Sequence, residues 1–266
     1  MAREKWVINL SDRFLMALSG GRMNCNYLPL VYSMYWNNVA PVVRDGQKSV
    51  FSHLGIELIQ ENADQKPHGS WMEEVLNRHQ ANDIVVFCDI DAFPLSRQAY
   101  LNAVAHAEQG AVFGLAQFSN HKKTQDVYAG PMFMAFRKDC WEALGKPGMS
   151  SNKQYDAAEA LSIRAREQGV PLVMASPTSC LIPKWPLADK GLFGIGTFYG
   201  DCEFFHLFES RKPQYEKIFS AIVADVVSDQ KLNFSKYLSI VDELNGAPVP
   251  ERKRNWIPKP LRRFLV

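Results

Sequence analysis

Two carboxylates two residues apart, Asp89 and Asp91, close the run Ile84-Val85-Val86-Phe87-Cys88-Asp89-Ile90-Asp91. Groups so spaced can approach one cation from a turning backbone. Hard cations such as Mg²⁺ and Mn²⁺ take oxygen ligands and bridge carboxylates to diphosphates. The triplet alone says little, because 14 Asp residues in this length supply roughly 0.7 such spacings by chance. Its context is more telling. The preceding residues are apolar and β-branched, the pattern of a strand buried on both faces. Open α/β sheets bind ligands at the carboxyl ends of such strands. A solvated, capped turn is the plainer reading. Two candidates for a catalytic base, Asp156 and Glu159, lie three apart and on a helix would share a face. Asp156 as N-cap with Glu159 as its capping-box partner fits the same spacing.

Strands and helices must position these groups. Val39 to Val43 reads as a strand with Pro41 near its edge or start, Gly46 to Leu54 as a helix and Ile56 to Ile59 as a second strand. Ser70-Trp71-Met72-Glu73 has capping-box spacing and starts a helix to about Arg78. After the 84–88 strand, Ser96 to Glu108 reads as a helix and Ala111 to Ala116 as a strand. Then come a strand at 131–136, helices at 138–144 and 155–168, and a strand at 171–175. Residues 183–201, rich in Gly and Pro, read as a loop able to serve as a mobile lid. Helices follow at 213–227 and 234–244. Strands alternating with helices predict an α/β fold with a mostly parallel central sheet flanked by helices, and a helical C-terminal extension.

Composition bounds the function. The 266 residues, 47% hydrophobic and 22% charged, suit one large α/β domain or a domain with an appendage. A net charge of +2 gives no reason to expect nucleic acid as partner. Cys25, Cys88, Cys140, Cys180 and Cys202 are odd in number and scattered without a CxxC pair. That argues against a disulfide framework and for a reducing, cytoplasmic setting. Arg3 and Lys5 precede an apolar stretch that Asp12 and Arg13 interrupt, and no run is long enough to span a bilayer. The tail 251–266 sets Arg252, Lys253, Arg254, Lys259, Arg262 and Arg263 against Glu251 alone, interleaved with Trp256, Ile257 and Phe264. This composition suits peripheral contact with an anionic membrane surface. Pro258 and Pro260 break any long amphipathic helix there, which leaves a simply docked tail as the other reading.

The run Asp83-Ile-Val-Val-Phe-Cys-Asp89-Ile-Asp91-Ala-Phe-Pro94 resembles the hydrophobic strand and DxD signature of GT-A-type glycosyltransferases, especially the bacterial family 2-like ones. Gly130-Pro-Met-Phe-Met-Ala-Phe136-Arg137 with Trp141-Glu-Ala-Leu-Gly145 resembles the strand and helix that line their sugar site, and His68-Gly69 stands at their small-residue turn near the nucleotide. The similarity covers about residues 39–210. It implies a GT-A-type, Rossmann-like domain over 1–212, with a nucleotide half at about 39–118 and an acceptor half at about 119–212; 213–266 is then the helical extension and basic tail. It implies a nucleotide-sugar donor, a saccharide, lipid-linked or small-molecule acceptor, and Mn²⁺ or Mg²⁺ as cofactor. Asp91 would ligate the metal directly, and Asp89 would contact the metal, its water or the ribose. His206, late in the domain, takes the place of the histidine ligand that some GT-A enzymes add. Arg211 would face the leaving diphosphate. Arg44, Asp45, Asp64, His68 and Gly130 fall where the family binds its donor. Asp156 or Glu159 would be the base that an inverting transfer needs, although the family's usual Glu-Asp pair is missing. His121-Lys122-Lys123 reads as an exposed loop, with contact to the acceptor as the other reading, and Trp185 as able either to stack on a sugar or to serve in packing.

Two other classes share these features. Haloacid-dehalogenase-type phosphohydrolases also follow a strand with DxD, Asp89 then being nucleophile and Asp91 acid/base. This chain has Ala92-Phe93 where they have Gly-Thr or Gly-Val, and no clear second acidic pair downstream. A non-catalytic sugar- or nucleotide-binding homologue on the GT-A scaffold would keep the metal site without turnover.

Overall fold

The run Ile84–Cys88 forms strand β3 in the middle of a six-stranded sheet, and its side chains alternate between two cores. Val85 and Phe87 point into one, Val86 and Cys88 into the other. The computed structural model describes residues 28–119, 122 and 126–246. Arg3, Lys5, Cys25, His121, Lys123 and the basic tail 251–266 therefore lie outside the described residues.

Strands β1 (Val31–Tyr35) and β2 (Leu58–Asn62) complete one side of the sheet, both parallel to their neighbours. On the other side β6 (Val127–Arg137) runs antiparallel to β3 and to β5 (Val112–Phe118), while β7 (Leu172–Ala175) is parallel to β5. The order is β2-β1-β3-β6-β5-β7. The sheet is therefore mixed, not mostly parallel. Only eight residues, 119–126, separate β5 from β6, too few for the crossover that parallel neighbours need.

Helices α1 (Pro41–His53), α3 (Arg97–Glu108), α6 (Glu216–Val227) and α7 (Phe234–Gly246) contribute Val43, Phe51, Tyr100, Phe219, Ile222 and Tyr237 to one core. Helices α2 (His68–Asn77), α4 (Lys138–Ala143) and α5 (Glu159–Glu167) cover the opposite face with Trp71, Trp141 and Leu161. Each such large apolar side chain contributes about 1.5–3 kcal/mol on burial. A 3₁₀ turn at Pro213–Tyr215 leads into α6. No helix among the described residues is long and apolar enough to cross a membrane.

Two expectations fail here. Residues 39–43 are not a strand: Pro41 opens α1, and the first strand lies upstream at Val31–Tyr35. Proline's fixed φ and missing N–H suit the first helical position, and buried Val43, Gln47, Val50 and Phe51 recur at helical spacing. Nor is 183–201 a loop. β8 (Pro177–Pro186) and β9 (Leu192–Tyr199) form a long antiparallel hairpin, continued by β10 (Phe204–His206) and β4 (Ala92–Pro94) as a second sheet, β4-β10-β9-β8. Gly194 marks close packing: a Cβ there would sit 2.3 Å from the Ile182 carbonyl oxygen.

The C-terminal helices clamp the two sheets together. The Phe219 ring lies 5.5 Å from that of Phe93 on β4, and Phe198 on β9 packs 4.8 Å from Phe234. A Cβ at Gly46 would come within 2.9 Å of Phe219, so α6 rests on the bare backbone of α1.

Candidate metal centre

The acidic pair occupies the step from one sheet to the other. Asp89 N–H donates to the Met132 carbonyl of β6 at 3.0 Å, the last bond of the first sheet. Ala92 N–H then donates back to the Asp89 carbonyl at 3.0 Å, closing a tight turn, and the chain enters β4. β10 returns antiparallel beside it with His206 opposite Ala92, and Leu207 N–H reaches the Asp91 carbonyl at 2.9 Å. Residues far apart in sequence thus meet through backbone pairing, which fixes register wherever one face is buried.

His206 Nε2 lies 3.2 Å from Asp91 Oδ1 and 3.9 Å from Asp89 Oδ2. One ligand atom from each of the three residues falls within 4.8 Å of the others. Neighbouring ligands at the usual 2.0–2.6 Å from a hard cation stand about 3–4 Å apart, so the donor set and spacing fit a divalent ion. The His206 side chain is 5% exposed, Asp91 13% and Asp89 26%, a gradient from buried ligand to open mouth. Burial pushes the Asp89 carboxyl above its ordinary range; the charge of His68 opposes this, and that of Asp91 adds to it. Burial acts on Asp91 in the same sense, but the His206 charge and hydrogen bonds from His206 and Ser210 outweigh it and hold that carboxyl low. Two adjacent carboxyls with opposed shifts repel when both are ionised, and a cation relieves that repulsion. Among the described residues His206 Nδ1 is buried without a partner, while Nε2 faces the carboxylates, so only Nε2 is offered as a ligand atom.

Two cavities meet at this cluster. One, of about 170 Å³, is walled by Met34, Tyr35, Trp36 and Val39 from the end of β1 and its following turn, and by Ser210 and Arg211. The other, of about 230 Å³, is lined by Gln117, Tyr128, Met132, Asp156, Phe208 and Glu209. His68, Asp89 and Asp91 border both. His68 opens α2 and holds Nε2 3.5 Å from Asp89 Oδ1, so Asp89 stands between two imidazoles.

No known protein-family profile and no curated protein matches the chain. Among solved structures it is similar to A197 from STIV, at 9% identity and a TM-score of 0.40, over 68% of this chain and 95% of that one. A likeness at that level carries no argument about activity.

The other predicted site residues divide into two groups. Arg211 sits in the first cavity with its guanidinium 5.1 Å from the Trp36 ring centroid. Asp156 lines the second, accepting from Tyr128 Oη at 3.1 Å and from Ala157 N–H at 2.8 Å. Glu159 is fully buried and accepts from Ser119 Oγ at 2.8 Å and from Asp156 N–H at 2.6 Å; it is the first residue of α5, whose N-cap is Ala158 without a side-chain bond, so Asp156 and Glu159 do not form the expected capping box. The two carboxylates therefore do not share an open face. Gly130 lies behind the second cavity, where a Cβ would strike the Gln117 side chain at 2.7 Å. Arg44 and Asp45 stand on α1, Arg44 over the Tyr35 ring at 4.9 Å and Asp45 exposed; neither lines either of these two cavities. Asp64 accepts from Asn37 N–H at 2.9 Å and braces the turn after β1. Trp185 packs on Phe193 and Phe208 and itself lines neither cavity.

Sequence reasoning missed Tyr35 and Trp36, because taking α1 for the first strand moved the expected donor side one element too far. Tyr128, Ser210 and Phe208 were also missed; the last two lie within four residues of His206 and could have been found from it. Gln47 gave no sequence signal beyond its place on the apolar face of α1.

Proposed function

We propose that the chain is a metal-dependent glycosyltransferase of GT-A type, moving a sugar from a nucleotide-diphospho-sugar to an acceptor hydroxyl. The observation that carries this reading is the Asp89–Asp91–His206 cluster at a strand end with a different cavity on either side. The first cavity offers aromatic surface from Tyr35 and Trp36 for a nucleotide and Arg211 for its phosphates. The second offers polar groups and Asp156 to an acceptor.

When bound, Mn²⁺ or Mg²⁺ neutralises charge on the diphosphate; an imidazole beside two carboxylates tilts the preference toward Mn²⁺. In the transfer, a bond forms between the acceptor oxygen and the anomeric carbon as the bond from that carbon to the diphosphate breaks. Asp156 takes the acceptor's proton, and Tyr128 holds the carboxylate toward the cavity. Arg211 attracts the departing nucleoside diphosphate.

Thermal-shift titration with nucleoside diphosphates, with and without Mn²⁺, tests the reading. A nucleotide at one hundred times its Kd stabilises by about 2.7 kcal/mol. The expected result is a Mn²⁺-dependent shift for one nucleotide that disappears in Asp91→Asn. An unchanged Mn²⁺ dependence in that variant sinks the metal assignment. Robust aryl-phosphate hydrolysis would favour the phosphohydrolase instead.

A further inference from the structure

We infer that Gln47, buried in α1, is the positioning residue that holds the acidic turn in metal-binding shape. The inference rests on the metal reading of Asp89, Asp91 and His206. Gln47 is fully buried beneath the turn. Its Nε2 donates to both ends of the turn, to the Asp89 carbonyl at 2.7 Å and the Ala92 carbonyl at 2.9 Å. The residues between those carbonyls include Asp91, so one amide group sets the curvature that aims the two carboxylates at one point.

The orientation of that amide is itself fixed. Carbonyl oxygens can only accept, so Nε2 and not Oε1 must face them, and Oε1 turns the other way to accept from Gln60 Nε2 at 2.8 Å. Gln60 in turn donates to the Arg44 carbonyl at 3.0 Å. The chain of bonds runs from β2 through α1 to the turn. Other bonds also hold the turn: Ala92 N–H and the Cys88 thiol reach the Asp89 carbonyl, the thiol reaches the Ala92 carbonyl, and Leu207 N–H ties the Asp91 carbonyl to the second sheet, but none of these joins the turn to the helix layer beneath it. A glutamine on a helix face otherwise lined by Val43, Val50 and Phe51 would be costly there without such partners.

Groups outside a ligand shell that orient the ligands typically account for 10–100-fold in metal affinity. The test is Mn²⁺ binding to the ligand-free protein, read by the electron paramagnetic resonance signal of the unbound ion. Gln47→Met keeps the length and volume but loses both donors, and should weaken Mn²⁺ binding at least 10-fold while the protein stays folded. Gln60→Met leaves Gln47 in place but frees its amide, and should give a smaller loss in the same direction. Asp91→Asn should remove specific binding. Wild-type Mn²⁺ affinity in folded Gln47→Met, with binding lost in Asp91→Asn, overturns the positioning role. Unchanged binding in Asp91→Asn overturns the metal reading instead, so the two failures are distinct. If Gln47→Met does not fold, Gln60→Met decides alone: undiminished Mn²⁺ affinity in it overturns the role.

Discussion

Gly69, in the first turn of α2, allows a backbone approach that no other residue could make. A Cβ at this position would lie 2.2 Å from both the nitrogen and the Cα of Ser150, and 2.3 Å from the Met149 carbonyl carbon. Comfortable separation for such atoms is about 3.5 Å, so Gly69→Ala must drive the two segments roughly 1.3 Å apart. The obstacle is backbone, which cannot swing aside as a long side chain does. The contact is also tied on both sides: Glu73 accepts from Met149 N–H at 2.8 Å, and Ala158 N–H donates to the Met149 carbonyl at 2.9 Å. Overpacking of this kind costs about 1–3 kcal/mol, and the strained hydrogen bonds place the expected loss near the top, about 3 kcal/mol. Urea unfolding measures it through the midpoint, the slope remaining unchanged. Gly145→Ala is the control, since its φ of +83° carries strain but nothing lies within 4 Å of an added Cβ; about 1 kcal/mol is expected there. A Gly69→Ala loss no greater than that of Gly145→Ala would refute the reasoning. The same displacement moves His68 from Asp89 and the segment that carries Asp156, so turnover should fall further than Mn²⁺ affinity.

Three further outcomes follow from the site and its supports. Asp156→Asn should lower kcat by 100-fold or more, on the order of a general base's contribution, while Mn²⁺ and nucleotide affinities measured by calorimetry stay at wild-type levels. Glu159→Ala should act on folding instead, costing about 3 kcal/mol in urea unfolding, because Ser119 Oγ and the Asp156 N–H lose a buried acceptor. Asp225 on α6 bonds Lys236 at 2.8 Å and Tyr237 at 2.6 Å. Burial works to raise its carboxyl, but those two partners outweigh it and the net shift is downward. A lowered folded-state value means stability that is present above the ordinary carboxylate range and lost as pH falls through the folded value. The stability gap between wild type and Asp225→Asn should therefore be steady near pH 7 and shrink as pH drops below about 4; unfolding midpoints across that range would show it, and a pH-independent gap would count against it.

What the sequence revealed depended on the range of the interaction. Ile84–Cys88 could be read as a doubly buried strand because its burial is written in every residue. Helices at 97–108, 138–143 and 216–227 were legible for the same local reason. Val39 to Val43 misled because β-branched residues flanking a proline suit an edge strand and a helix start alike; the choice is made by Gln47 and Phe51, which lie beyond the window. The β8–β9 hairpin misled because Gly194 and Gly196 look like loop residues, whereas Gly194 lies against Ile182 and Gly196 against Leu181 across a strand pair. At the site, Asp89 and Asp91 were visible as a pair. Glu159 resembled Asp156 in sequence, and only burial against Ser119 separates their surroundings.

The meeting of Asp89, Asp91 and His206 has a further physical basis in where the chain changes sheets. β3 belongs to the first sheet and β4 to the second, and only Asp89, Ile90 and Asp91 lie between them. Such a step must break the ladder of β3, so Asp89 and Asp91, which strand alternation would hold about 6.6 Å apart on one face, can turn toward a single point. β10 then delivers His206 by pairing with β4 in one register, His206 opposite Ala92. A slip of one residue would put Phe205 at the cluster and turn the imidazole to the other face. Phe205 resists that slip, because it packs 5.3 Å from Phe93 and 5.1 Å from Phe198 in the core behind. Apolar packing on one face of a three-residue strand thus sets the position of the nitrogen ligand on the other. By that logic Phe205→Ala, although it touches no ligand atom, should reduce Mn²⁺ affinity as well as stability, whereas Phe234→Ala, which packs on Phe198 from α7, should reduce stability with Mn²⁺ affinity unchanged in the folded protein. Equal Mn²⁺ affinity in both variants would show that register is held elsewhere.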